Sequence, residues 1–402
     1  MAFLARSDPR LGYREAAVIY CDNAATSFPK PPSVARAMAD HLENEAVNPG
    51  RSSFDLAIQA AARIDALRVE LGRLFGNPAD DPNRTIFTSG ATAALNLTVG
   101  GLCAPGDHVV AEATAHNSVL RPLHELRRRD RLDFAIAPCD GSGRVDPQDI
   151  ARLITPTTRL VVLNHASNVT GTLQDVAAVG RLCREREILL VLDCAQTAGT
   201  VDIDMARDLV DVAAFTGHKG LLGPTGTGGL VLGPRAEPEG TVWGGTGVRS
   251  EELEQPRALP YRLEAGTLNA VGLVGLAAGV AWLAEQEPGA VAASERELAE
   301  NFAAGCREIP GVRTTGRTAG DGEEHVAVVS LECGDIPAEK VGVLLDVQWE
   351  IAARTGLHCA PLIHTALGTS PGGTVRFSFG PFNTKDQLPR LHQAITAIVR
   401  GS

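Results

Sequence analysis

Between about residue 85 and residue 235, short apolar runs alternate with stretches of helical period, and this alternation does most to restrict the fold. The runs TIFTSG, DHVVAEA, TRLVVLNHAS, ILLVLDCAQ and DVAAFTGHK each end in polar residues. Amphipathic stretches such as ATAALNLTVGGL, NSVLRPLHELRRR and DVAAVGRLCRERE separate them. A strand of Val, Ile and Leu on both faces needs cover on both faces, so the pattern predicts a mainly parallel α/β sheet between helical layers. From about residue 274 the order changes to a long helical stretch, strands, and the closing helix TKDQLPRLHQAITAIVR, which reads as a smaller α+β unit. At about 150 residues per domain, 402 residues suggest two or three units. The expected division is a large α/β domain over residues 16–270, with residues 1–15 and 271–402 forming the smaller one.

Charge and cysteine usage narrow the function classes. A net charge of -11 leaves no basic excess to displace phosphate counterions, so no nucleic-acid partner is expected. The stretch LNAVGLVGLAAGVAWLA at residues 268–284 is at the short edge of a spanning helix. Its Gly and Ala content and Asn269 suit a closely packed buried helix better, so no membrane partner is expected. The opening MAFLARSDPRLGYREAA has no apolar signal region, and the eight cysteines are scattered without a C-x-x-C pair. A cytoplasmic protein without a disulfide framework or a metal site is the reading that follows. Cys194 is read as structural.

In an open α/β sheet, ligands gather beyond the carboxyl ends of the strands. The ends here carry Ser89-Gly90-Ala91-Thr92, Ala115-His116-Asn117, His165 to Asn168, Asp193 to Gln196, and Thr216 to Lys219. Asp193 follows the apolar run ILLVL, so its carboxylate needs a partner: the N-terminus of the next helix, or a protonated heterocyclic nitrogen. Lys219 enters a glycine-rich turn, and a desolvated lysine there is a usable amine nucleophile. A lysine amine together with an aspartate for a pyridinium nitrogen is what pyridoxal 5'-phosphate (PLP) demands. SGATAALN offers a strand, a glycine turn and a helix start for its phosphate.

With these residues in place the chain resembles the class V aminotransferases of PLP fold type I. Within them it resembles the cysteine desulfurase and selenocysteine lyase group with the short active-site loop. The resemblance rests on YCDNAATSFPKPP, NPGRSS, FTSGATAALN, NHASNVTGT, DCAQTAG, FTGHKGLLGPTGTGGL, GGTG, LEAGTLN, RTGLHCAPL and VRFSFGPFNT, in that order over nearly the whole chain. It implies a large domain with a seven-stranded, mainly parallel sheet and a smaller α+β C-terminal domain. Lys219 would be the Schiff-base lysine, Asp193 the partner of the pyridine nitrogen, Gln196 the partner of the ring hydroxyl, and His116 the residue stacked on the ring. Thr92, Thr216 and His218 would hold the phosphate with the backbone N–H of Ala91, and Thr267 would reach over from the second subunit of a homodimer. Arg376, Asn168 and Arg354 would bind the substrate, and Cys359 matches the sulfur-accepting cysteine.

Cys359 admits four readings from its own surroundings. A disulfide does not suit the expected compartment or the spacing. A metal site of His358, Cys359 and His364 lacks a matching second pair. Core packing sits poorly with the flanking Arg, Gly and Pro. A reactive thiol fits best, with Arg354 and His358 expected to make the neighbourhood electropositive. The function implied is conversion of L-cysteine to L-alanine with the sulfur taken by Cys359 as a persulfide and passed to an acceptor protein. The alternative is another class V enzyme: a selenocysteine lyase, a C–S lyase, or a specialised aminotransferase or epimerase.

Overall fold

The computed structural model describes residues 18–49, 54–317 and 324–401. Residues 1–15, expected in the smaller domain, and the GRSS part of the NPGRSS motif lie outside the described residues. The first described strand, β1 (Ile19–Tyr20), leads to helices α1 (Pro32–Asn44) and α2 (Asp55–Leu74). Seven strands then form one sheet: β2 (Thr85–Thr88), β3 (Asp107–Glu112), β4 (Leu132–Ala137), β5 (Thr158–Asn164), β6 (Leu189–Asp193), β7 (Val212–Thr216) and β8 (Gly228–Leu232). The helices α3 (Ala91–Leu102), α4 (Asn117–Arg128), α5 (Pro147–Leu153) and α6 (Val176–Glu185) fall between them. The strand order is β2-β8-β7-β6-β5-β3-β4, and β8 alone runs against the rest. This is the mainly parallel sheet that the apolar runs predict.

The side-chain alternation of β6 shows why those runs are continuous. Leu190 and Leu192 enter a core shared with Leu67 and Leu71 of α2 and Val176 and Val179 of α6. Leu189 and Val191 enter a second core with Leu95 of α3 and Leu123 of α4. Both faces of the strand are dry, so no polar position interrupts it before Asp193.

The chain continues through α7 (Ala270–Ala284) and α8 (Ala290–Arg307) into β9 (Val312–Thr315), β10 (Val328–Cys333), α9 (Ala338–Trp349), β11 (Ile351–Ala352), β12 (Arg354–Gly356), α10 (Pro361–Ala366), β13 (Thr374–Ser378) and α11 (Leu388–Arg400). An antiparallel sheet, β12-β13-β10-β9, packs on α8 and α11. Phe302 of α8 lies at its centre, fully buried, with its ring centroid 4.6 Å from that of Phe377. Burying such a side chain contributes about 1.5–3 kcal/mol.

Two elements sit differently from the expected division at residue 270. Strand β1 pairs in parallel with β11, and Ile19 and Cys21 join the C-terminal core. Helix α7 sends Leu273, Leu276 and Val280 into the core under the large sheet. Packing therefore favours β1 with the smaller unit and α7 with the larger. Among the described residues no helix is long and apolar enough to cross a membrane.

Candidate active site

The carboxyl ends of β2, β3, β5, β6 and β7 open on one side of the large sheet, and a cavity of about 290 Å³ lies there. It is lined by all of the expected site residues except Thr267 and Cys359. Thr267 instead lines a broad cleft with Trp243 and Arg68. Cys359 is exposed, on a turn beside Arg354 and His358, which do line the cavity.

Asp193 ends β6 fully buried and accepts the N–H of Ala195 at 3.0 Å. Burial pushes its carboxyl above the usual range, against that hydrogen bond and the nearby charge of Lys219. Asn164 stands beside it in register on β5. Glu112, at the end of β3, accepts the N–H of Asn164 at 3.1 Å and that of Thr114. Burial pushes Glu112 up to about 7, its own hydrogen bonds opposing this and the charge of Asp193 adding to it. Among the described residues Asp193 therefore has one backbone donor and no cationic hydrogen-bond partner, which is costly unless a ligand supplies one.

Lys219 follows β7 in a turn closed by Gly217 N–H to Thr227 O at 2.9 Å and Gly223 N–H to Gly217 O at 2.7 Å. Its side chain lines the cavity. Desolvation, and secondarily the charge of Arg376, lowers its amine to about 8, with Asp193 opposing. Among the described residues, Thr216 Oγ1 and His218 Nδ1 are buried without a partner. His218 is pushed down to about 4 by burial and by the charges of Lys219 and Lys30, so its ring is neutral.

Across the cavity, Gly90 caps α3 with φ 148°, in the region that favours glycine. Gly228 at the start of β8 lets this turn approach: a Cβ on Gly228 would lie 2.6 Å from Gly90 Cα. Gly90, Ala91 and Thr92 at the start of α3 line the cavity together with Thr216, and a helix N-terminus is favourable ground for an anion.

His116 caps α4, and its Nδ1 accepts the N–H of Ser118 at 3.0 Å, which places the ring proton on Nε2. Burial, then the charges of Lys219 and Arg354, lowers it to about 4, so it presents a neutral ring. Gln196 is tied by Nε2 to Ala24 O at 3.1 Å.

Arg376 of β13 is 1% exposed and donates to Asp22 Oδ1 at 2.7 Å and to Asn168 O at 3.0 Å; its Nε has no partner among the described residues. Arg354 faces it in register on β12. Two arginines opposite each other, with the carboxylate of Asp22 on Arg376 and Lys219 nearby, leave net positive charge for an anionic ligand group. The Nη2 of Arg354 also lies 3.7 Å from Cys359 Sγ.

His358 corrects one expectation. Its ring is buried, with Nε2 3.0 Å from Thr374 Oγ1. Burial and the surrounding cations push it down to about 2, so it is neutral and adds no positive charge beside the thiol. Arg354, 3.7 Å from the thiol, and the charge of Arg376 do that. Asp22, Glu112, Asn164 and Ser118 were not singled out from the sequence. Glu112 ends a strand just as Asp193 does, and the same strand-end rule applied to DHVVAE would have found it.

Relatives bear on this arrangement. The class V aminotransferase family model matches residues 19–391. A probable cysteine desulfurase of Methanothermobacter thermautotrophicus is 32% identical over 387 residues, covering 94% of each chain. The cysteine desulfurase CsdA of Escherichia coli is 29% identical, covering 94% of this chain and 93% of its own. A solved apo structure of cysteine desulfurase from Thermococcus onnurineus NA1 superposes with a TM-score of 0.88 at 29% identity, covering 96% of this chain and 95% of that one. That of Escherichia coli CsdA gives 0.84 at 28%, covering 95% and 94%. With its seven-stranded sheet, its match over nearly the whole length and these neighbours, the chain belongs to the class V aminotransferase family.

Proposed function

We propose that the protein is a PLP-dependent cysteine desulfurase that converts L-cysteine to L-alanine and takes the sulfur onto Cys359 as a persulfide. The observation that carries this reading is a half-buried lysine amine and a buried carboxylate in one cavity, with an exposed thiol next to the lining residue Arg354. The residues fit the cofactor. Asp193 lacks a cationic hydrogen-bond partner that a protonated ring nitrogen would supply, and Thr216 Oγ1 and His218 Nδ1 are unsatisfied donors or acceptors at the phosphate end. Lys219 would anchor it covalently, Asp193 would face its nitrogen, Gln196 its hydroxyl and His116 its ring. Ala91, Thr92, Thr216 and His218 would hold its phosphate. When bound, PLP supplies an electron sink that stabilises negative charge on the amino acid's Cα and weakens the bonds at Cβ.

Arg376, with Arg354 and Asn168 beside it, seats the substrate carboxylate and so directs the side-chain sulfur toward the cavity mouth. Lys219, low enough in pKa to be partly neutral near pH 7.5, takes the Cα proton. Cys359 thiolate then attacks the substrate sulfur. The S–S bond forms as the Cβ–S bond breaks, and that bond's electron pair stays with the carbon, which takes a proton on the way to alanine. Arg354 at 3.7 Å steadies the attacking sulfur.

A homodimer belongs to this reading. Thr267 lies away from the cavity in a cleft whose rim exposes Trp243 and Leu253, a surface suited to a second protomer that would receive Thr267 at its phosphate end. An exposed persulfide on a short turn suits hand-over to an acceptor protein, and eight free thiols suit the cytoplasm. The test is to supply L-cysteine, PLP and a thiol reductant and to measure alanine and sulfide. Equal amounts of the two support the proposal. No alanine from protein that has bound PLP overturns it and directs the search to selenocysteine, cysteine conjugates and other amino acids.

A further inference from the structure

The carboxyl ends of β3, β5 and β6 lie side by side, and the reaction outlined above gives a role to Asp193 on the third but none to Glu112 on the first. Glu112 is 1% exposed, one strand from Asn164 and two from Asp193. Among the described residues no lysine or arginine pairs with it. A buried carboxylate without a countercharge is costly, and here backbone donors offset the cost. Oε1 accepts the N–H of Asn164 at 3.1 Å, and Oε2 accepts that of Thr114. Each oxygen holds a donor from a different segment, one at the end of β5 and the other in the loop that leads to α4.

Both segments carry residues of the cavity. Only residues 113–115 separate Glu112 from His116, the cap of α4. The N–H of Ala113 goes to Ala137 O at 2.9 Å and that of Ala115 to Glu112 O at 3.1 Å, so with Thr114 on the carboxylate all three amides are committed. Asn164 Nδ2 returns to Thr114 O at 3.1 Å and closes a ring of contacts between the loop and β5. Asn164 lines the cavity in register with Asp193, and the next residue, His165, donates its N–H to Asp193 O at 3.0 Å. An apolar side chain at residue 112 would leave two buried N–H groups without acceptors.

We propose that Glu112 is a positioning residue: its carboxylate fixes the β3–α4 loop against β5 and so sets His116 and Asn164 around the pyridine-ring end of the cavity. The catalytic consequence rests on the desulfurase reading; the structural one does not. Without the carboxylate the loop and the end of β5 lose their common anchor, and His116 no longer keeps one orientation over the ring. Proton removal at Cα then slows, while the carboxylate seat at Arg376, on the other sheet, is retained.

The experiment compares wild type with Glu112→Ala, which removes both acceptors, and Glu112→Gln, which keeps one oxygen and turns a donor toward the other amide. Hydrogen exchange is read at Thr114 and Asn164 in cofactor-free protein, with the β13 peptide 374–378 as control. Exchange is expected to rise about tenfold or more at both amides in Glu112→Ala and at one of them in Glu112→Gln, with β13 unchanged. Scaled to bound PLP, the visible circular dichroism of the cofactor, which reports ring orientation, should weaken in both variants. Their kcat for alanine formation should fall about tenfold or more, with KM within about threefold of wild type. Unchanged exchange at both amides, unchanged dichroism, or equal acceleration in β13 would each overturn the positioning role. Altered exchange and dichroism with kcat unchanged would overturn its catalytic part. If Glu112→Ala does not fold, the same readings on Glu112→Gln decide. If wild type loads with PLP and forms no alanine, the desulfurase reading fails, and exchange and dichroism still decide whether Glu112 positions the loop.

Discussion

The nucleophilicity of Lys219 depends on the balance of burial and charge around it, and Asp193→Asn perturbs that balance in a defined direction. Desolvation and Arg376 hold the amine at about 8, while Asp193 pulls it up toward its usual 10.5. With each pKa unit worth a factor of ten, an amine at about 8 is roughly one quarter neutral at pH 7.5, against about one part in a thousand at 10.5. The site therefore gives Lys219 on the order of 200 times more free amine than a solvated lysine. Asp193→Asn removes the opposing charge, so the midpoint falls further; Arg376→Met removes a cation, so it rises. The assay is acylation of cofactor-free protein by an amine reagent over pH 6 to 11, with the Lys219 peptide quantified by mass spectrometry. A wild-type midpoint near that of free lysine, or an upward shift in Asp193→Asn, would refute the electrostatic account of the site. The same lowering has a stability consequence. Between about 8 and 10.5 the unfolded chain holds the proton that the folded one has lost, so the cofactor-free protein gains stability as pH rises through that window.

Further outcomes follow from single contacts. Gly228→Ala sets a Cβ against Gly90 Cα at 2.6 Å and Phe215 O at 2.7 Å, both backbone atoms. It should cost about 1–3 kcal/mol in urea unfolding and lower PLP retention on dialysis. Glu264 accepts from Phe87 N at 2.7 Å and from both Nη atoms of the buried Arg68, so Glu264→Gln leaves the buried guanidinium with only the largely exposed Asp65, at 3.6 Å, as an ionic partner among the described residues and should cost about 3–5 kcal/mol in the same assay. Glu295 is buried and burial raises its carboxyl from 4.5 to about 8. The folded chain therefore binds the extra proton between those values, stability falls as pH rises from 4.5 to 8, and Glu295→Gln should flatten that part of the thermal-denaturation profile.

The strands of the large sheet and the polar residues at their ends were legible because each is a local pattern. A run such as ILLVLD is dry on both faces and turns polar where the sheet stops. The pairing of Ile19 with Ile351 and the bond from Arg376 to Asp22 span most of the chain, and no local period reports them. The same holds for α7, whose near-uniform apolar surface says that it is buried but not under which sheet. His358 was misjudged for a related reason. Its neighbours in sequence suggest a charged ring near the thiol, whereas its depth in the fold, set by Thr374 and Arg376, decides that it is neutral. The left-handed pair at residues 358 and 359 has no sequence signature, since the residues that usually mark such a turn are absent and tertiary contacts replace them.

The most direct test of the account measures alanine formed from L-cysteine by the PLP-loaded protein and by Cys359→Ala, with the mass of the Cys359 peptide followed in the wild type without reductant. The account predicts alanine from the wild type, a one-sulfur mass gain on Cys359, and loss of alanine formation in the variant. Undiminished alanine from Cys359→Ala, with no sulfur on the wild-type peptide, would contradict Cys359 as the sulfur acceptor.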